Sequence, residues 1–174
     1  MTRLLQGKNI IIYGAGGAIG RGVARTFAAE GANLHLAGRT LGPLQAVAAD
    51  VAAAGGHGEV AAVDALDERA VEEHVQAVVA AAGSVDVSLN LVSRGDVQGI
   101  PYVDMTVADF LAPITTGATA NFITARAAAR AMSQQGAGVI MTLTSGSSHG
   151  TPPGMGGTGP ADAAVETFLR YLAA

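Results

Sequence analysis

Residues 13–22, YGAGGAIGRG, place five glycines among ten positions, directly after the apolar run NIIIY of residues 9–13. Glycine loses more conformational freedom on folding than any other residue, so a cluster of it beside a buried strand needs a reason. Ile19, Val23 and Phe27 follow at helical spacing, so the stretch describes a strand, a bare turn and a helix. A helix that starts near Ala18 points its free N–H groups and the positive end of its dipole at that turn. In an open α/β sheet such a turn lies past the carboxyl end of its strand, where ligands bind. With no Cβ at Gly14, Gly16 and Gly17 a pyrophosphate can approach the backbone, and Gly20 lets the helix sit tight against the strand. The spacing is not GxGxxG, because Ile19 occupies its last position, and no Lys-Ser/Thr follows to make a P-loop. These residues point to a nucleotide; a tight turn with no ligand is the other reading.

The rest of the chain repeats the alternation. NIIIY, ANLHLAG, GEVAAVD, VDVSLNLV and GVIMTLTS have the length and β-branched content of buried strands. Between them, Leu41, Leu44, Val47 and Val51, then Val71, Val75, Val78 and Val79, recur at helical spacing, and Gly31 stands where the first helix would cap. A long helix is expected over residues 113–135 and another from Pro160 to the end. This order predicts an α/β protein, a doubly wound parallel sheet with helices on both faces in three layers. A chain of 174 residues, 49% hydrophobic, suits one domain spanning 1–174. Residues 145–160, SGSSHGTPPGMGGTGP, are too rich in Gly and Pro for regular structure and read as a functional or mobile loop.

Charge and composition exclude other classes. A net charge of -4 and scattered Lys and Arg give no footprint for nucleic acid or an anionic membrane surface. With no cysteine there are no disulfides or thiolate metal sites, and His35, His57 and His74 lack a metal-ligating spacing. No run reaches the roughly eighteen uncharged apolar residues of a membrane span, and the N-terminal MTRLLQGKNIIIYG is too short in apolar residues for a signal peptide. The expectation is a soluble cytoplasmic protein. Asp104 and Asp109 read as helix-start carboxylates.

The spacing that does fit is G-x-x-x-[A/G]-x-G, at Gly14, Ala18 and Gly20. With AGRT at the end of the second strand, VDALD after the third, DVSLNLVS for the fourth, GVIMTLTS for the fifth and ADAAVETFLRYLA in the last helix, the chain resembles the short-chain dehydrogenase/reductase family in its classical form. The resemblance implies a Rossmann-type fold and a nicotinamide dinucleotide held by Gly14, Gly16, Gly17, Ala18, Ile19 and Gly20. At the tip of the second strand, where Asp or Glu would hold a free ribose 2′-OH, stand Gly38, Arg39 and Thr40. A guanidinium suits phosphate oxygens, so NADP(H) is favoured over NAD(H), with a solvated surface Arg39 as the alternative. By the same resemblance Asp64, ending the third strand, meets the adenine amino group, with Ala65 against the ring; a helix N-cap or turn aspartate is equally open. Asn90 is kept from the family's N-N-A-G, while Leu91, Val92 and Ser93 replace the rest, and Asn90 and Val92 would lie along the cofactor.

The family's catalytic set is a Ser, a Tyr, a Lys four residues later and a relay Asn. Here these positions fall on Ser145, Thr158, Asp162 and Gly117, with Asn121 one helical turn from the last. Only Ser145 survives. Thr158 lacks a phenol's acidity, and Asp162 would raise rather than lower a neighbouring hydroxyl's pKa. His149, in the loop after Ser145, is the other candidate donor. The resemblance therefore implies an NADP(H)-dependent oxidoreductase on a carbonyl/alcohol pair with atypical or lost catalysis, or else a non-catalytic nucleotide-binding or scaffolding subunit. It also implies a homodimer or homotetramer built through the helices of residues 113–135 and 160–174. The chain stops inside a helical pattern, so the family's last strands and substrate lid are expected to be missing.

Overall fold

A computed structural model describes residues 3–150 and 152–174. Met1, Thr2 and Thr151, which belong to the N-terminal and loop readings above, lie outside the described residues. Two compact units make up the chain, one of residues through Leu91 with Ile123–Thr142, the other of Val92–Phe122 with Leu143–Ala174.

The first unit holds a five-stranded parallel sheet in the order β3-β2-β1-β4-β5, formed by β1 (Asn9–Tyr13), β2 (Asn33–Gly38), β3 (His57–Ala62), β4 (Val87–Asn90) and β5 (Val139–Thr142). Register sets Ile10 beside Leu34 and Val87, and Ile12 beside Leu36 and Leu89. Strand side chains alternate between faces, so these six share one face. They pack there with Ala24 and Ala28 of α1 (Ala18–Ala29) and with Leu44, Val47 and Val51 of α2 (Leu41–Ala53). The opposite face carries Ile11, Tyr13, His35, Ser88 and Asn90. Tyr13 meets His74 of α3 (Glu68–Ala82) edge to face, ring centroids 5.9 Å apart, and Asn90 donates to Thr124 Oγ1 of α4 (Val107–Gln135) at 3.0 Å. The expected doubly wound, three-layer α/β architecture is what the chain adopts. Because β1 runs centrally and the order reverses between β2 and β4, the glycine turn after Tyr13 stands at the topological switch point.

Several element ends differ from the expectation. β4 stops at Asn90 because β1 turns away at Gly14; Leu91 N–H to the Tyr13 carbonyl, 2.9 Å, is the last rung. β3 stops at Ala62, leaving Asp64 two residues beyond the strand. α4 starts at Val107, six residues before the expected Pro113. Thr106, just before the helix, caps its first turn, accepting from the Asp109 N–H at 3.1 Å and donating to Asp109 Oδ2 at 2.7 Å, and Pro113 sits inside the helix. α5 (Thr158–Leu172) begins two residues before Pro160, which falls in the first turn where an N–H would have no helical partner.

The second unit holds two 3₁₀ turns, Tyr102–Asp104 and Gly146–Ser148, with the first half of α4 and all of α5. The Gly-rich loop thus includes one 3₁₀ turn and the start of α5. At Gly157 a Cβ would lie 2.0 Å from the Phe110 carbonyl oxygen, so glycine is what lets the start of α5 close on α4. Tyr102 Oη, donating to the Gly156 carbonyl at 2.7 Å, fixes the same approach.

Candidate functional site

In the first unit the glycine turn is built by distinct demands. Gly14 has φ +77°, a left-handed conformation that favours glycine. A Cβ at Gly16 would stand 2.9 Å from Pro43 Cβ of α2, and at Gly20 it would stand 2.5 Å from the Ala15 carbonyl oxygen. The close contact expected of Gly20 is therefore with the turn rather than with the strand. At Gly17 an added Cβ would meet only the Gly14 carbonyl oxygen, at an ordinary 3.5 Å. Gly17 is the N-cap of α1, and no side chain caps the helix. Gly17, Ala18 and Ile19 are exposed, Ile19 to 56%. The first turn of α1 therefore presents N–H groups that no side chain caps, beside a Gly17 whose added Cβ would meet nothing closer than 3.5 Å. This cradle fits a pyrophosphate.

Arg39 and Thr40 are exposed at the carboxyl end of β2, and no ion pair joins Arg39 to another described residue. Asp64 accepts from the Leu66 N–H at 3.0 Å through Oδ1, while the cap of α3 is Asp67, whose Oδ1 accepts from the Ala70 N–H at 3.0 Å. Of the two local roles left open for Asp64, the turn is the one it fills. Ala65 beside it is buried. Asn90 is buried at the end of β4, and Leu91, in the place of the second Asn, packs against the apolar core. Beneath the sheet, burial pushes the Tyr13 phenol up, with Glu72 adding to it. Burial likewise pushes the His74 imidazole down to about 4, with His35 nearby adding to it. Among the described residues no group of three or more His, Cys, Asp or Glu is placed to hold a metal ion, and no helix is long and apolar enough to cross a membrane.

In the second unit Ser145, Thr158 and Asp162 join one polar network. Asp162 on α5 is fully buried. Its Oδ2 accepts from the Ser145 N–H at 3.0 Å, the Ser145 hydroxyl at 2.7 Å and the Ser147 hydroxyl at 2.9 Å, and its Oδ1 pairs with Arg94 Nη1. Burial alone would raise this carboxyl's pKa, but the bonds from Ser145, Arg94 and Ser147 outweigh it and hold Asp162 below the usual carboxylate range. Arg94 also reaches Asp96, at 3.4 Å. Thr158, itself buried, donates to Asp96 Oδ1 at 3.1 Å and lies 3.4 Å from Gln98 Nε2. His149 stands apart, exposed, with Nε2 3.2 Å from Glu166 Oε2, whose other oxygen accepts from Ser148 at 2.7 Å. Asn121 donates to the Gly117 carbonyl of its own helix at 2.9 Å. Arg94, Asp96, Gln98 and Ser147 belong to no motif of the sequence. The available signal was joint: an Arg just past the fourth strand, a Gly at position 117 and an Asp at position 162.

A parallel sheet of order 3-2-1-4-5 with a glycine-rich turn at its switch point defines a doubly wound α/β protein of Rossmann type. A family model described as enoyl-(acyl carrier protein) reductase matches residues 14–174. With this match, the chain belongs to the short-chain dehydrogenase/reductase family. It is 35% identical over 147 residues to the L-rhamnose 1-dehydrogenase (NAD(P)(+)) of Azotobacter vinelandii, covering 82% of this chain and 57% of that protein. It is 28% identical to the 7alpha-hydroxysteroid dehydrogenase of Escherichia coli K12, covering 97% of this chain and 65% of that one. The crystal structure of NAD+-bound xylitol dehydrogenase superposes with a TM-score of 0.89 at 29% identity, covering 98% of this chain and 66% of that one. The chain thus spans less than two thirds of the length of these relatives.

Proposed function

We propose that this protein binds NADP(H) and has atypical or lost carbonyl–alcohol chemistry. Gly14, Gly16, Gly17, Ala18, Ile19 and Gly20 would hold the pyrophosphate, Arg39 and Thr40 a ribose 2′-phosphate, Asp64 and Ala65 the adenine, and Asn90 and Val92 the nicotinamide side. The cofactor class is supported by the relatives whose names carry NAD(P)(+) and NAD+. The phosphate preference is supported by an exposed guanidinium that no described carboxylate neutralises. Bound NADPH would supply the hydride. The protein would have to protonate the developing alkoxide.

One observation carries the second half of the reading. At the positions that the resemblance equates with the family's Ser and Tyr, the hydroxyls of Ser145 and Thr158 both donate to carboxylates, those of Asp162 and Asp96. A serine or threonine hydroxyl has one proton to donate. Committed to a carboxylate, buried Asp162 for Ser145 and exposed Asp96 for Thr158, it offers none to a substrate oxygen. His149 is engaged by Glu166. A non-catalytic nucleotide-binding or scaffolding subunit is the second reading, favoured by the same closed network. Leu111, Phe122 and Tyr171 expose apolar surface on α4 and α5, which supports self-association through those helices.

Two measurements test this. Titration should give NADPH at least about tenfold tighter binding than NADH, about 1.4 kcal/mol, with Arg39→Asp reversing the order; equal affinities would remove Arg39 from the site. NADPH oxidation against a panel of ketones and aldehydes should be absent or very slow. Turnover near the common enzyme value of about 10 per second that vanished in Ser145→Ala would defeat the loss of catalysis and the scaffold together.

A further inference from the structure

Arg94 has no counterpart in the pattern that the family resemblance supplied, yet it stands at the centre of the network in the second unit. Its guanidinium meets Asp162 Oδ1 through Nη1 and Asp96 Oδ2 through Nη2, and its side chain is only 14% exposed. Its stem runs past Gly117 of α4: a Cβ there would fall 2.7 Å from Arg94 Cδ and 3.1 Å from Cγ. Gly117 has no positive φ, so its backbone does not require glycine. A glycine inside a helix weakens it relative to alanine, and here the passage of Arg94 accounts for it. The stem has no freedom to step aside, because the guanidinium at its far end is tied to a carboxylate on another helix.

We propose that Arg94, Gly117 and Asp162 are one compensated set, in which Arg94 is the positioning residue that orients Asp162 and, through it, the hydroxyls of Ser145 and Ser147. Arg94 takes one carboxylate oxygen and so fixes the plane of the group. That plane aims the other oxygen at the Ser145 N–H and at the two hydroxyls, which lie 2.6 Å from each other. A fully buried carboxylate needs a compensating charge, and removing one partner of such a pair leaves the other uncompensated. Arg94 is that charge, and Gly117 is the opening that admits it. The set has a consequence for the site, which rests on the reading that positions 117, 158 and 162 stand where the family has its Asn, Tyr and Lys. Restoring the Tyr and Lys alone, by Thr158→Tyr with Asp162→Lys, would set a second cation against Arg94. Restoring the Asn at 117 would drive its Cβ into the Arg94 stem. The site reopens only when Arg94 and Gly117 change together with the other two.

The test is a double-mutant cycle on the full chain, read by urea unfolding and by the carboxyl titration of Asp162 in NMR. Gly117→Ala should lower the unfolding midpoint in the native background and raise it in Arg94→Ala, where only the helix gain remains. Arg94→Met should raise the proton affinity of Asp162 at least about tenfold, one pKa unit, and Arg94→Lys should restore part of that shift. The groups facing Asp162 are Arg94, Ser145 and Ser147, with Asp96 beyond the guanidinium and Glu166 of the same helix coupled to it through charge, so the Asp162 resonance is the one to follow. If the Arg94 variants fail to fold, Gly117→Ala alone must still raise the Asp162 titration. A midpoint change of the same sign in both backgrounds, or an Asp162 titration indifferent to these substitutions, overturns the proposal. The carbonyl panel stays separate: turnover by the native chain would refute lost catalysis while leaving the coupling intact, and absent coupling would refute the set while leaving turnover absent.

Discussion

At Gly20 a Cβ would lie 2.5 Å from the Ala15 carbonyl oxygen and 2.7 Å from its carbonyl carbon, whereas at Gly22, two residues on, it would meet nothing within 4 Å. Gly20→Ala should therefore cost about 1–3 kcal/mol, the range for overpacking. Gly22→Ala should stabilise by about 0.5–1 kcal/mol, the gain of alanine over glycine in a helix. Gly17→Ala separates structure from ligand, because its Cβ finds ordinary contact. Stability should fall by less than about 1 kcal/mol, the scale of a cap change, while NADPH binding weakens at least about tenfold, or 1.4 kcal/mol. Urea unfolding and fluorescence titration of the three variants check these values, and a Gly17→Ala chain that binds NADPH normally would leave the turn without its ligand. The need for bare backbone here was legible, because glycine clusters have few other uses beside a buried strand. Which neighbour demands each glycine was not: Pro43 of α2 is remote in sequence from Gly16, and only the fold brings them together. Arg94 was invisible for a related reason. An arginine just past a strand usually reads as solvated surface, and its burial depends on Gly117 and Asp162, 23 and 68 residues away.

The strands were legible as elements because β1 carries the unbroken run Ile10, Ile11 and Ile12 and β4 sets Val87 and Leu89 at alternate positions, and the helices because Val71, Val75 and Val78 or Leu44, Val47 and Val51 keep a helical period. Their ends were less so, since local hydrogen bonds decide them. In α4 the Thr106–Asp109 pair outweighs the tendency of Pro113 to begin a helix. Thr106→Ala should cost about 1 kcal/mol and speed hydrogen exchange at Phe110 and Leu111 while leaving amides after Pro113 protected; uniform exchange along α4 would give the cap no role. α3 carries a second, pH-dependent contribution. His74 lies under Tyr13, and burial depresses its pKa to about 4. The folded chain thus binds this proton less readily than the unfolded chain does. The stability it contributes is complete above the unfolded value of about 6.5 and is lost as pH falls from there towards about 4. The loss is at most on the order of 3 kcal/mol. His35, lowered by burial against the opposing pull of Glu59, acts in the same direction. Unfolding midpoints measured across that range should decline in the native chain and decline less in His74→Leu. Parallel curves would assign the acid limb to other groups.

For the molecule as a whole, a cofactor that binds only the folded chain must raise its stability by mass action, which offers a test independent of catalysis. At a ligand concentration 100 times its Kd the gain is about 2.7 kcal/mol, and at 10 times about 1.4 kcal/mol. If NADPH binds tenfold more tightly than NADH through Arg39, equal concentrations of the two should reproduce that pair of values in urea unfolding. Arg39 is exposed and has no ion pair among the described residues, so Arg39→Asp should leave the ligand-free midpoint within about 0.5 kcal/mol of the native chain. In that variant the larger gain should pass to NADH, because a carboxylate repels the 2′-phosphate and can accept from a free ribose hydroxyl. Self-association through α4 and α5 would add a dependence on protein concentration, so the measurements need one fixed concentration, with sedimentation of Phe122→Glu and the native chain to show whether that surface associates. NADPH and NADH giving equal gains in both chains would return Arg39 to the solvent. No gain from either would remove the nucleotide proposed for the glycine turn.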